Sequence, residues 1–294
     1  MPLRRRLPAL GAVASLLLLS ACARPPEAPA ADAGPAAAEA APADAAAAPG
    51  YRAQLDAYHA WVLAQIEQLE RDTGAFVDAV NSGDLDAAAR LYGPSRQAWE
   101  RIEPIAGLYP ELDRRIDARA DDFKEAEAST EFGGWHRLEY AIFSQRDVDG
   151  LGPVAARLVA DTRRLHDEVA GLRFDAATVV AGASELIEEV AATKVSGEEN
   201  RYAGTDLWDI HANLEGSRRI VDLFRQDIAA AEPALLAQVD ADFARIDALL
   251  APYREGGGWT HYEQVAAADR NELKGASAAL AESLSRLRGA LGLG

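Results

Sequence analysis

Residues 51–82 read YRAQLDAYHAWVLAQIEQLERDTGAFVDAVNS, and their apolar positions decide the fold class. Leu55, Tyr58, Val62, Ile66 and Leu69 recur at intervals of three and four, the spacing that puts side chains on one face of an α-helix. Ala, Leu, Glu, Arg and Gln, all strong helix formers, fill much of the rest. The tetrad Asn81-Ser82-Gly83-Asp84 breaks the stripe and offers a fresh N-cap.

The same pattern runs to the C-terminus. Pro94 and Pro104 bound a short helix carrying WERIE, and Pro110 starts another through Leu112 to Asp122. Gly133-Gly134 and Gly150 to Pro153 bound HRLEYAIF. Long amphipathic helices are expected at roughly 153–171, 175–194, 205–230, 233–251 and 259–290. The chain therefore reads as all-α, a helical bundle most simply built as two packed four-helix bundles that divide near Gly171 to Asp175.

Upstream, the grammar changes. Arg4, Arg5 and Arg6 precede an apolar stretch from Leu10 to Leu19, shorter than the roughly 18 residues a membrane span needs. Leu-Ser-Ala-Cys follows, ending at Cys22, the only cysteine. This ending resembles the lipobox of bacterial lipoproteins, which makes residues 1–21 a signal peptide and Cys22 the acylated N-terminus of the mature chain. Arg24, where an Asp would favour inner-membrane retention, tilts the expectation towards the outer membrane. Residues 23–50 hold fifteen Ala and six Pro. Such a segment buries too little apolar surface to offset its ordering entropy. It reads as a tether with a reach on the order of 80–90 Å when extended. The folded part is residues 51–294.

The formal charge of −17 over 294 residues argues against a nucleic-acid partner, which needs a basic face. A single cysteine excludes a disulfide framework or a cysteine-built zinc site within these residues. The residues with chemical potential cluster instead in acidic motifs. His136 and Glu139 of HRLE are three apart and share a helix face, so together they can grip one cation. Alone, H-x-x-E recurs by chance and commonly marks a surface pair. Glu100 and Glu103 of WERIEP repeat that spacing with two acids. Asp113, Asp117 and Asp121 are spaced by four and are expected on one face. In SGEENRYAGTDLWD, Glu198, Glu199, Asp206 and Asp209 crowd near Tyr202 and Trp208. Each motif taken singly also fits a solvated helix face.

Taken in order, LYGPSRQAWERIEPIA, LDRRIDARADDF, GGWHRLEYAIF, EEVAATKVSGEENRYAGTDLWDIHANLEGS and YREGGGWTHYEQV make the chain resemble the imelysin-like proteins. The likeness is specifically to the EfeO/EfeM iron-uptake lipoproteins. It covers nearly all of residues 51–294, and the Ala/Pro tether in place of a cupredoxin domain likens it to the shorter EfeM form. The resemblance implies a non-enzymatic periplasmic lipoprotein, anchored to the membrane through its lipid. It would capture iron, ferric for preference or ferrous, for an inner-membrane iron permease, with a haem-peroxidase as the other partner of an Efe-type system. It also implies the ligands: His136 and Glu139 as one site, and Glu100, Glu103, Asp117 and Glu199 as a carboxylate cluster. Glu198 is the alternative to its neighbour Glu199. One imidazole among several acids suits iron, zinc or calcium better than copper, which stays as a further candidate.

Two other readings stay open. One is a binding protein for an acidic, alginate-like polysaccharide with a metal bridging the carboxylates. The other is a metallopeptidase, although the sequence has no H-E-x-x-H. The lipobox has its own test. In detergent phase separation of cells expressing the full chain, the wild type is expected in the detergent phase and Cys22→Ser in the aqueous phase.

Overall fold

The computed structural model describes residues 50–294. The expected signal segment 1–21, the acylated Cys22 and the tether up to residue 49 lie outside the described residues. Helix α1, Arg52–Ser82, buries Leu55, Tyr58, Val62, Ile66 and Leu69 as its stripe requires, and extends that face through Phe76, Val77 and Val80. Gly83 ends it in the left-handed region, φ 72°, donating to the carbonyls of Ala79 and Val80. The Asp84 carboxylate then caps α2, Leu85–Ile102, by accepting from the Ala87 amide at 2.9 Å.

Helix α2 differs from expectation, because Pro94 lies inside it instead of starting it. Proline removes one backbone donor and crowds the residue before it. Here that residue is Gly93, which has no Cβ to crowd, and it packs beneath the Trp208 ring. A 3₁₀ turn, Glu103–Leu108, follows, and α3, Pro110–Asp117, is shorter than expected. Helix α4, Gly134–Glu139, runs directly into a single π-helical segment, Tyr140–Gln145. The long helices are α5, Gly152–Ala170; α6, Ala176–Ala192; α7, Asp206–Ala231; α8, Pro233–Leu250; and α9, Ala267–Ser285, with a last short turn α10, Leu287–Ala290. The helix expected from residue 259 begins only at Ala267. Residues Arg254–Glu255 and Gly258–Trp259 form a two-stranded hairpin turned by Gly256 and Gly257, both at positive φ.

Two rings of four result. Helix α1 packs on α2 and α5, α5 on α4, and the π segment closes back onto α2. Helix α6 packs on α9, α9 on α8, α8 on α7, and α7 on α6. The division falls between Ala170 and Ala176, and contact of α2 with α7 joins the rings into one apolar core. Among the described residues, no helix is long and apolar enough to cross a membrane.

The seam between the rings is unusually close. A Cβ on Gly216 of α7 would lie 2.2 Å from the Arg101 carbonyl oxygen, and one on Gly182 of α6 would lie 2.3 Å from that of Pro104. The end of α2 and its following turn are thus clamped between α6 and α7, with Glu100 and Glu103 in the clamp. Gly216→Ala is expected to cost about 1–3 kcal/mol in urea unfolding, the penalty of overpacking. Gly275→Ala on α9, where an added Cβ meets no neighbour, is expected to gain up to ~1 kcal/mol.

Candidate metal centre

Four segments meet at this seam. Helix α2 and its turn supply Arg96, Glu100 and Glu103, and the last residue of α3 supplies Asp117. Helix α4 supplies His136 and Glu139. The turn after α6 and the start of α7 supply Lys194, Glu199, Asp209 and Asn213. The approach of α4 to α3 depends on Gly134. Its φ is 63°, and a Cβ there would sit 2.2 Å from the Ile116 carbonyl oxygen. No other residue would let His136 come up against Asp117 at this angle without strain.

His136 and Glu139 do meet, in direct contact with each other. The His136 Nδ1 lies 2.9 Å from Glu139 Oε2. The other Glu139 oxygen accepts from the amides of Tyr202 at 2.8 Å and Ala203 at 2.9 Å. Glu139 therefore stands behind the imidazole and sets its orientation, the role a carboxylate plays behind many metal-binding histidines. The free edge of the ring faces Asp117, with Nε2 3.4 Å from Asp117 Oδ1 and no hydrogen-bond partner. Asp117, His136 and Glu199 can bring one ligand atom each to within 4.8 Å of one another. Burial and the Arg96 charge lower the affinity of His136 for its proton, but the carboxylates of Asp117 and Glu139 beside the ring outweigh them and raise its pKa to about 9. Burial works against ionisation of Asp117, and Arg96 and His136 reverse it, holding this carboxyl far below the usual range. The Trp99 indole donates to its second oxygen at 3.0 Å.

Two protein cations, both fully buried, hold the remaining acids. Arg96 Nε donates to Asp209 Oδ2 at 3.1 Å, and its Nη groups to Glu100 Oε1 at 2.5 Å and to Asp117. Lys194 Nζ donates to Glu100 Oε2 at 2.8 Å and to both oxygens of Glu103 at 2.8 and 3.0 Å. Burial opposes its charge, but the carboxylates of Glu100, Glu103 and Glu199 raise its pKa well above the ordinary lysine value. Asn213 Nδ2 braces the same two glutamates at 3.0 and 2.7 Å. Glu199 is held less firmly by this interior: its Oε1 is 3.6 Å from Arg96 and 3.5 Å from Lys194, while Oε2 accepts from the partly exposed Arg119 at 2.9 Å. Outside lies a cleft of about 770 Å³ lined by Glu103, Asp113, Asp117, Arg119, Glu189 and Glu199 among others.

All six expected site residues thus lie in one network. The expected face of Asp113, Asp117 and Asp121 does not form, because the chain leaves the helix at Ala118. Asp121 instead pairs with Arg201 at the surface. Glu198 also faces outward, to Arg201 at 2.8 Å, and Glu199 inward. His261, expected on a helix, precedes a 3₁₀ turn, while His211 packs at a tilt against Trp259 beside Arg254. Sequence reasoning missed Arg96 and Lys194. Arg96 had a signal, since it stands one helical turn before Glu100 on the same face. Lys194 had none.

A family profile described as imelysin matches residues 54–287. The chain is 50% identical over 239 residues to the iron uptake system component EfeO of Escherichia coli strain K12, and likewise to that of Shigella flexneri. These alignments cover 81% of this chain and 64% of each relative, so the chain spans a little under two thirds of their length.

The half-buried Asp113 on the cleft wall offers a pH test. Burial, then the charges of Asp117 and Glu189, raise its pKa from 3.8 to about 7. The folded state therefore holds a proton there that the unfolded state gives up, so the group's contribution to stability falls as pH rises between those values. Asp113→Asn is expected to raise the melting temperature of the metal-free protein at about pH 8 and to leave it little changed at about pH 4. Equal shifts at both values would contradict this.

Proposed function

The chain belongs to the imelysin family, and from that premise we propose that it is a metal-capturing component of an EfeO/EfeM-type iron-uptake system. In this reading it is a periplasmic lipoprotein anchored through Cys22, and the domain of residues 51–294 takes iron for an inner-membrane permease, with a haem-peroxidase in the same system. The observation that carries it is the unpartnered Nε2 of the buried His136, held by Glu139 and aimed at Asp117 and Glu199 beside an open acidic cleft. The 50% identity to a component of an iron uptake system supports iron as the cargo.

Asp117, His136 and Glu199 are the proposed ligands, giving two carboxylate oxygens and one imidazole nitrogen. This mixed set suits ferrous or ferric iron and zinc, and is too hard for copper(I). To bind, the cation takes the place of the His136 proton and draws Glu199 away from Arg119. Capture therefore releases a proton, weakens in acid and stabilises the fold by mass action. Glu139 orients the histidine, and Glu100 and Glu103 form the charged wall behind the site. A peptidase reading gains no support from these groups. Glu100 and Glu103 are already engaged by Lys194, and Glu100 also by Arg96. The acidic-polysaccharide reading draws on Arg114 and Arg119 in the cleft wall, which suit carboxylates arriving with the metal.

Calorimetry separates these readings. Chelated ferric iron, ferrous iron, zinc and calcium are titrated into wild type, His136→Ala, Asp117→Asn and Glu139→Gln. Iron binding is expected in the wild type, absent in His136→Ala and Asp117→Asn, and weakened by about 10–100-fold in Glu139→Gln. Undiminished iron binding in His136→Ala would remove the site. Binding of an alginate oligomer only with metal present would favour the polysaccharide reading.

A further inference from the structure

The second group of converging acids is already filled by the protein itself. Glu100, Glu199 and Asp209 can bring ligand atoms to within 4.8 Å of one another, as Asp117, His136 and Glu199 do. The two groups share Glu199 but differ in what they face. His136 Nε2 has no partner, whereas the acids of the second group face Arg96 and Lys194.

The surroundings of Lys194 are those of a bound cation. Its Nζ has four carboxylate oxygens of three residues around it, at 2.8, 2.8, 3.0 and 3.5 Å. Asn213 holds Glu100 and Glu103 in place around it. The sequence has three lysines, and Lys124 and Lys274 are exposed while Lys194 is fully buried. A lysine is rarely buried without an ionic partner, and here the partners form a cage. A hard divalent ion would take the same oxygens at a slightly shorter radius. It cannot share them with an ammonium, because two cations so close repel in an interior that screens charge weakly.

We propose that the Lys194 ammonium is the built-in occupant of a second cation position, and that it limits the protein to one captured metal ion per chain. This rests on the capture site at Asp117, His136 and Glu199 proposed above. The lysine side chain serves as a selectivity element. It keeps Glu100 and Glu103 neutralised without metal and leaves Glu199, its most distant carboxylate contact, free to turn to the cargo.

The test counts ions. Full-length protein in detergent is loaded with excess ferrous iron without oxygen, passed through gel filtration, and its iron measured by elemental analysis. Wild type is expected to retain one ion per chain, Lys194→Met two, and the double variant Lys194→Met/Glu103→Gln one. Lys194→Met retaining one ion would overturn the proposal. Where Lys194→Met folds only when refolded with iron, the same count is made on that folded fraction. A second readout needs no variant. In protein labelled with nitrogen-15 lysine, the single buried ammonium is expected to keep its slowly exchanging proton signal when the wild type is saturated with zinc, a diamagnetic ion that suits the same ligands. Loss of that signal on saturation would mean the metal displaces Lys194, and the proposal falls. The two readings fail separately. Wild type that takes up no iron while Lys194→Met takes up one refutes capture at His136 and upholds the lysine. Wild type with one ion that is lost in His136→Ala, beside Lys194→Met also with one, does the reverse.

Discussion

The structure turns on burying carboxylates. Glu100, Glu139, Glu199 and Asp209 are buried at the seam of the two helical rings, with Asp117 and Glu103 nearly so. An isolated buried carboxylate is costly, and so is a buried cation; each becomes tolerable only when paired and hydrogen-bonded. Arg96 and Lys194 meet this requirement with opposite geometries. The planar guanidinium reaches four acids on α2, α3, α7 and the loop after α6. The compact ammonium gathers two glutamates from α2 and its turn, and a third at longer range. Together they tie the first ring to the second through charge as well as through apolar packing.

That arrangement is asymmetric, and the asymmetry separates a fully paired part from a sparsely paired one. Glu100 and Glu103 have every short contact satisfied by Arg96, Lys194 and Asn213. On the other side, Glu199 has its one short contact with a partly exposed arginine, and His136 Nε2 has none. The backbone amides of Tyr202 and Ala203 anchor Glu139, and Glu139 anchors His136. The loop that carries Glu199 therefore also fixes the histidine opposite it.

Close backbone approach makes this possible. The clamp on the turn after α2 requires that two crossing helices have no Cβ at Gly182 and Gly216. Gly134 does the same between α3 and α4. Each contact also brings a carbonyl-bearing turn up to the buried charges, so a change of side-chain volume at these positions would shift the acids next to those turns. The π segment after Glu139 continues the fourth member of the first ring past the site.

By itself the sequence determined the helices and their inward faces, since a 3.6-residue period is a local property. The stripe on α1 and the division between the rings were legible from spacing and glycines alone. So was the i and i+3 pairing of Glu100 with Glu103 at the end of α2 and of His136 with Glu139 on α4. It did not determine that α2 would pass through Pro94, because that depends on Gly93 and the space under Trp208. Nor did it determine that α3 would stop at Asp117 and turn Asp121 outward. Above all, only the tertiary structure decided which charges meet. Arg96 could be matched to Glu100 from one helical turn, but Lys194 is 94 residues from Glu100 and sits in a short turn without periodicity. The direction of each imidazole nitrogen and the pairing of each buried charge depend on atoms brought together from separate helices, and spacing along one helix carries no information about them.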